Sequence, residues 1–357
     1  MVWARVDEGK YMGIKGLVAS ATNRFGILEA YSSARRWLTK SQVAILIYHR
    51  VCPKKDKWSL EPLSPESFET QMKYFTQNYE ILSLDKLVQY TKSGKSFPEK
   101  AVVVTLDDGY KDNYLYAYPV LRKYNIPATI FLTTGYIGAS ELFWWDKVAY
   151  IIESNTSIKR LNLKDLGSYS LQSELYKTRA KSIICERLTK LSDDKKNSII
   201  EKLLDICQVE IPRDLGKKLI LSWKEVKEMD KAGVTFGAHS VNHPILINMP
   251  LGQSKNEIVQ SKQDIEEKLG KEVTAFSYPN GNFNAEIVEL VRKSGFTCAV
   301  SVYPGMPPKL ISPKDSVYHL ARIGTYEDLN RSKILVCGLS GDLARAKRLL
   351  SHRTLPH

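Results

Sequence analysis

Two acids and two histidines carry the chemistry of this chain. Asp107 and Asp108 stand side by side, with the β-forming run Ala101-Val102-Val103-Val104 before them and Gly109 after. Far downstream, His239 and His243 bracket Ser240-Val241-Asn242. A short apolar run ending in acids reads as a buried strand that delivers carboxylates at its C-terminal edge. Barrel enzymes build their active sites at that edge. Neighbouring side chains on an extended strand face opposite ways, and a turn at Gly109 can splay the two acids. One carboxylate can then join both histidines in a metal set that leaves coordination positions open. The other stays free as a base. Val234-Thr235-Phe236-Gly237-Ala238 runs into His239 as a second buried strand, so ligands from two strand ends can converge. Taken alone, Asp-Asp-Gly reads equally well as an Asx-turn or a helix cap. Ser240 follows His239, so the pair is not the helical zinc-protease motif, which needs Glu there.

In combination these residues resemble the polysaccharide deacetylase family, carbohydrate esterase family 4. Thr105-Leu106-Asp107-Asp108-Gly109 is similar to its first motif, with Leu106 where Phe is usual. His239-Ser240-Val241-Asn242-His243 matches the second, and Phe276-Ser277-Tyr278-Pro279-Asn280-Gly281 takes the place of the third. The match spans residues 43–135 and 221–325, with the motifs in the family's order. The resemblance implies that Asp107 is the general base and that Asp108, His239 and His243 hold a divalent metal. Zn is the default for such a set, and Co or Ni fits similar geometry. It also implies hydrolysis of an N-acetyl group on an amino sugar, with Tyr278, Pro279 and Asn280 facing the substrate.

Two departures bear on these roles. Many members carry an Arg that orients the base where this chain has Ser277. Arg322 either replaces it or is an ordinary surface arginine near a strand end. The late segment Tyr318 to Ile323 does not fit the family's last motif, whose His is the acid. Ile45-Leu46-Ile47-Tyr48-His49-Arg50-Val51 instead resembles the N-terminal strand of the biofilm poly-N-acetylglucosamine deacetylases, a circularly permuted branch. That resemblance implies His49 as the acid, with His319 the other donor to weigh.

Length and composition bound the rest. The chain has 357 residues, 43% hydrophobic and 25% charged, which fits one large barrel with an insertion. It contains no run of about 18 apolar residues, and the first 40 residues lack the apolar core and cleavage site of a secretory signal. The five cysteines are scattered and without metal-type spacing, which reads as reduced thiols in a cytoplasmic setting. The net charge of +13 suits anionic lipid, a polyanionic glycan or simple solubility. No nucleic-acid motif accompanies it. Apolar and basic residues interleave over 12–40, suggesting amphipathic helices. These either contact the inner membrane face peripherally or pack across the bottom of the barrel.

Strand and helix patterns alternate from residue 43 onward. The expected class is therefore α/β, a distorted or incomplete parallel barrel of seven or eight strands with a helical insertion. Among the helices, Asp85 to Lys92 is expected to be capped by Asp85. The expected domains are an N-terminal basic segment (1–42), the barrel (43–137 and 221–325), the insertion (138–220) and a helical tail (326–357). The insertion lies between two catalytic-face strands, a natural lid or substrate wall. Its Trp144 and Trp145 either stack on sugar rings or plug the insertion onto the barrel. The leading function is a metal-dependent N-deacetylase of an N-acetylated glycan or its precursor. Hydrolysis of another amide, such as a cyclic imide, and a catalytically silent glycan-binding module are the competing readings.

Overall fold

The structure, a computed structural model, describes residues 27–39, 42–53, 62–303, 306 and 308–345. The strands are β1 (Val43–Tyr48), β2 (Glu80–Leu82), β3 (Ala101–Leu106), β4 (Ala128–Leu132), β5 (Arg160–Leu163), β6 (Gly167–Ser170), β7 (Thr235–Ala238), β8 (Ala275–Ser277), β9 (Cys298–Ser301) and β10 (Leu320–Gly324). Seven of them close a parallel barrel in the order β1, β10, β9, β8, β7, β4, β3 and back to β1. The first strand in sequence thus joins the last to β3. β2 departs from the ring. It pairs with Ala101–Val103 of β3, while β4 pairs with Val104–Leu106. The wall splits there, which makes the barrel distorted although closed.

The helices are α1 (Ile27–Thr39), α2 (Pro65–Asn78), α3 (Leu84–Ser93), α4 (Tyr118–Lys123), α5 (Trp144–Ser154), α6 (Glu174–Leu188), α7 (Asp193–Cys207), α8 (Leu215–Leu219), α9 (Trp223–Lys231), α10 (Leu251–Leu269), α11 (Ala285–Lys293) and α12 (Leu329–Val336). Their termini follow local chemistry. Ser83, not Asp85, caps α3, accepting from the Lys86 amide at 3.1 Å. α9 begins with a reciprocal capping box between Ser222 and Glu225. The Tyr-rich stretch expected as one helix opens with a π-turn over Asn113–Ala117 before α4 begins. Within 138–220, expected as a helical insertion, a hairpin of β5 and β6 precedes α6 and α7. Its short Arg-Leu-Asn-Leu and Gly-Ser-Tyr-Ser strands carry too little apolar pattern to stand out.

Alternation along the strands divides the core in two. Val43, Ile45, Val103, Phe131, Ala275, Cys298 and Val300 meet inside the barrel. Their sequence neighbours Ala44, Leu46, Val102, Val104, Ile130 and Phe276 join the layer beneath the helices. α1 lies at the opposite end from the acids: its Ser32 and Arg35 line a cleft with Lys100 and Ala101, where β3 begins. This is the bottom-packing arrangement for α1, while expectations for residues 1–26 fall outside the described residues. No described helix is long and apolar enough to cross a membrane.

Gly237 is one inward position where only glycine fits. A Cβ there would lie 2.6 Å from two Phe131 ring carbons and 2.9 Å from the Ala275 carbonyl oxygen. Overpacking of this kind costs about 1–3 kcal/mol. Gly237→Ala is therefore expected to lower the urea midpoint by that amount of stability. An unchanged midpoint would mean that Phe131 has room to retreat.

Candidate active site

The site grows out of strand parity. One side chain in two faces the barrel interior, and the inward series on β3 runs Val103, Thr105, Asp107. The inward residue leaving β7 is His239, on β8 it is Ser277, on β10 Arg322, and leaving β1 it is His49. Asp108 should face outward by this rule. Its φ of 74° puts it in the left-handed region, and its carboxylate returns to the site. Ser240 and His243 share that conformation, with φ of 60° and 58°. Such residues cost roughly 1–3 kcal/mol each and persist where the surroundings hold them.

Asp108, His239 and His243 converge as the sequence suggested. Asp108 Oδ1 lies 3.5 Å from His239 Nε2 and 3.6 Å from His243 Nε2. Ligands about 2.1 Å from a tetrahedral ion lie about 3.4 Å apart, so the spacing fits one divalent metal. The donor chemistry fits as well. His239 Nδ1 is 2.7 Å from the Ser277 carbonyl, which fixes that nitrogen as the N–H and turns the Nε2 lone pair toward Asp108. Both Asp108 oxygens are buried and meet no hydrogen-bond partner among the described residues. Burial, and then the neighbouring Asp107, push its carboxyl well above the usual range. A cation between Asp108 and the imidazoles would relieve both effects. Burial also lowers the histidines, His239 to about 4 and His243 well below its ordinary value, which favours the neutral, ligating form.

Asp107 lies outside this trio and is held differently. Arg322 donates to both its oxygens, Nη1 to Oδ1 and Nη2 to Oδ2, each at 2.6 Å. Ser277 Oγ donates to Oδ2 at 3.1 Å and accepts from Arg322 Nη2 at 2.8 Å. Arg322 is therefore a buried partner of the base position and not a surface arginine. The guanidinium that Ser277 lacks arrives from β10. Burial alone would raise the Asp107 carboxyl, but Arg322 and then His239 hold it below the usual carboxylate range.

His49 is half-buried at the exit of β1, between the strands bearing Asp107 and Arg322. Burial holds its imidazole below the usual range, opposed chiefly by the attraction of Asp107. Its loop is pinned from the segment after Gly109. Asn113 Nδ2 donates to the His49 carbonyl at 2.8 Å. Asp112 pairs with Arg50 and accepts the Val51 amide at 3.2 Å. His319 belongs elsewhere: it precedes β10 and stacks on Phe283 at 5.7 Å.

The profile of the polysaccharide deacetylase family matches residues 94–299, more than half of the chain. The chain belongs to the polysaccharide deacetylase family. It is similar to the Bacillus subtilis (strain 168) protein YxkH, whose name places it in the same family, with 23% identity over 74% of this chain and 66% of that protein. It is also similar to the poly-β-1,6-N-acetyl-D-glucosamine N-deacetylase of Staphylococcus aureus (strain MSSA476), with 23% identity over 74% of this chain and 68% of that one. The chain thus spans about two thirds of the length of these relatives. Among solved structures, the fold resembles the Streptococcus pyogenes deacetylase PplD in complex with acetate, with a TM-score of 0.55 and 20% identity over 83% of this chain and 98% of that one. IcaB from Ammonifex degensii gives a TM-score of 0.55 and 19% identity over 84% and 97%. The enzyme class expected from sequence, a hydrolase acting on carbon–nitrogen bonds other than peptide bonds, is that of its named relatives.

The residues expected to face substrate are less uniform in placement. Tyr278 follows inward Ser277 and so points outward. It is 1% exposed, stacks on Phe283 at 5.0 Å and donates to the Tyr318 carbonyl at 2.8 Å. Its ring does not line the site. Pro279 is buried, while Asn280 is half-buried with φ of 55°. Trp145 is also 1% exposed, so neither face is open to a sugar. It stacks on Phe143 at 4.5 Å and meets the His243 ring at 4.8 Å, as a plug would. Trp144 is half-buried beneath Lys196, 5.0 Å from its ring.

Several residues that shape the site carried no motif. Trp145 Nε1 donates to the Tyr110 hydroxyl at 2.7 Å, and that hydroxyl donates to buried Asp146 at 2.9 Å. Tyr110, Asp112 and Asn113 directly continue the Asp-Asp-Gly segment, so its polar extension was the available signal.

The metal-free site predicts an acid limit. Unfolded histidines take up protons below about pH 6.5, while folded His49, His239 and His243 resist them. Asp108, with its raised value, works the other way and offsets one proton. The unfolded chain still binds more protons on balance, so stability falls as pH falls. Denaturant unfolding of metal-free protein from pH 7 to 5 is expected to show a loss of up to about 1.4 kcal/mol per pH unit for each net proton. A flat profile would mean that the histidines are freely solvated.

Proposed function

We propose that this protein is a metal-dependent N-deacetylase that removes N-acetyl groups from an amino-sugar polysaccharide. The observation that carries this reading is the separation of two adjacent carboxylates into two environments. Asp108 faces two imidazoles and, among the described residues, no hydrogen-bond donor. Asp107 is clamped by Arg322 and Ser277. A divalent cation held by Asp108, His239 and His243 would supply Lewis-acid polarisation of the acetyl carbonyl and a more acidic water. Zn suits the donor set, and Co or Ni would fit it too. Asp107 is ionised at neutral pH and ready to take a proton from water. Arg322 and Ser277 fix the direction from which it does so. His49 is the assigned donor to the leaving amine. Arg322 brings a guanidinium to Ser277 and Asp107, which restores the feature that Ser277 lacks and so supports the N-acetyl reading over a different amide substrate. The named S. aureus relative points to a β-1,6-linked N-acetylglucosamine polymer as the first substrate to try.

The test pairs metal content with acetate release. Purified protein should bind about one divalent ion per chain, and His239→Ala should lose it. Acetate should appear from β-1,6-linked or β-1,4-linked N-acetylglucosamine oligomers. Asp107→Asn should keep the metal and lose activity by about 10²–10⁴-fold. Metal-loaded protein that releases acetate from neither oligomer would overturn the deacetylase reading.

The acid role of His49 is tested by leaving group. His49→Ala should retain metal and slow hydrolysis of an N-acetyl sugar by about 10²-fold or more. An activated acetate ester needs no proton on its leaving oxygen, so its hydrolysis should slow much less. Equal losses on both substrates would remove His49 from that role.

A further inference from the structure

The turn that carries both histidine ligands is held by a residue outside every motif. Leaving β7, the His239 amide donates to the Leu132 carbonyl at 2.8 Å, the last ladder bond of that strand. The chain then reverses through Ser240 and His243, both in the left-handed region. Ser240 Oγ accepts the His243 amide at 3.0 Å. The Ser240 and Val241 carbonyls accept the Thr134 and Gly135 amides at 3.2 and 2.9 Å. The two amides at the apex, of Val241 and Asn242, both donate to one carboxylate oxygen. They reach Glu257 Oε2 of α10 at 2.9 and 2.8 Å. Asn242 Nδ2 donates to the other oxygen, Oε1, at 2.8 Å. A single half-buried carboxylate therefore closes the apex of the turn.

We propose that Glu257 is a positioning residue that sets the spacing of His239 and His243 and thereby the affinity of the metal site. This rests on the metal-centre reading given above. Glu257 touches neither imidazole nor either aspartate in the structure. It acts through the backbone. Without it, a turn with two non-glycine residues at positive φ has lost three of its hydrogen bonds, and relaxation would move His243 relative to His239. Groups that orient metal ligands typically change affinity by 10–100-fold when removed.

The experiment uses the full chain and zinc. Dissociation constants are measured by chelator competition for wild type, Glu257→Ala and Glu257→Gln. Exchange of the Val241 and Asn242 amides is measured in the metal-free proteins. Glu267→Ala, which removes an exposed acid from the same helix, serves as the control for charge. Glu257→Ala is expected to weaken zinc about 10–100-fold and to speed exchange of the two amides. Glu257→Gln keeps an amide oxygen for the backbone donors and should recover most of the affinity. An unchanged zinc constant in Glu257→Ala would overturn the proposal, as would a Gln variant as weak as Ala, which would make charge the cause. Should wild type bind no zinc, the metal-centre reading fails on its own. Amide exchange in the metal-free proteins then still decides whether Glu257 holds the turn.

Discussion

Two carboxylates from adjacent residues are buried at one point, and among the described residues only Asp107 has an arginine or lysine counter-ion. Placing like charges together in a desolvated site is costly unless each is compensated. Arg322 compensates Asp107 with a bidentate pair, the geometry in which guanidinium and carboxylate match best. Asp108 is left with imidazole nitrogens and no donor among the described residues. Most of the site follows from this imbalance. One acid is kept ionised and aimed, and the other is kept ready for a cation. Breaking the Arg322 pair would leave Asp107 a buried charge without its partner, directly beside Asp108.

Geometry enforces the division as strongly as charge does. The parity of β3 sends Asp107 inward and would send Asp108 out beneath the helices. The left-handed backbone at Asp108 brings it back. Comparable turns place His243 beside His239. The barrel supplies a ring of inward positions, and three residues at positive φ bring Asp108, His239 and His243 together into a group that could hold a metal ion. Trp145 closes one side of that set from the insertion, packed against the His243 ring. The start of the insertion therefore packs directly against a site residue.

What was legible in the sequence follows the range of each signal. The barrel strands are readable because their apolar runs are short and continuous, with the four acid and histidine residues at or just past the ends of two of them, whereas β5 and β6 lack such runs. The role of Arg322 is not legible in the sequence because it depends on β10 closing the ring onto β1, one strand away from β3, a fact of closure rather than of pattern. Tyr278 was assigned to the substrate from its motif position, whereas strand parity turns its ring outward. Trp145 shows the same limit: an aromatic pair announces burial or stacking equally well, and only packing decides. Glu257 carried no signal, since an acid on a helix ordinarily faces water.

The closing strand has a consequence for how the protein is made. β1 is the first barrel strand to be synthesised, yet it can seat fully only between β3 and β10. Arg322 lies on that last strand. Until it docks, a growing chain carries Asp107 and Asp108 without the cation that neutralises one of them. Contacts between chain ends form slowly because loop closure precedes them. The site is thus complete only once β10 has docked, and a chain released before β10 would hold every ligand residue of the proposed metal while lacking the arginine that pairs with Asp107.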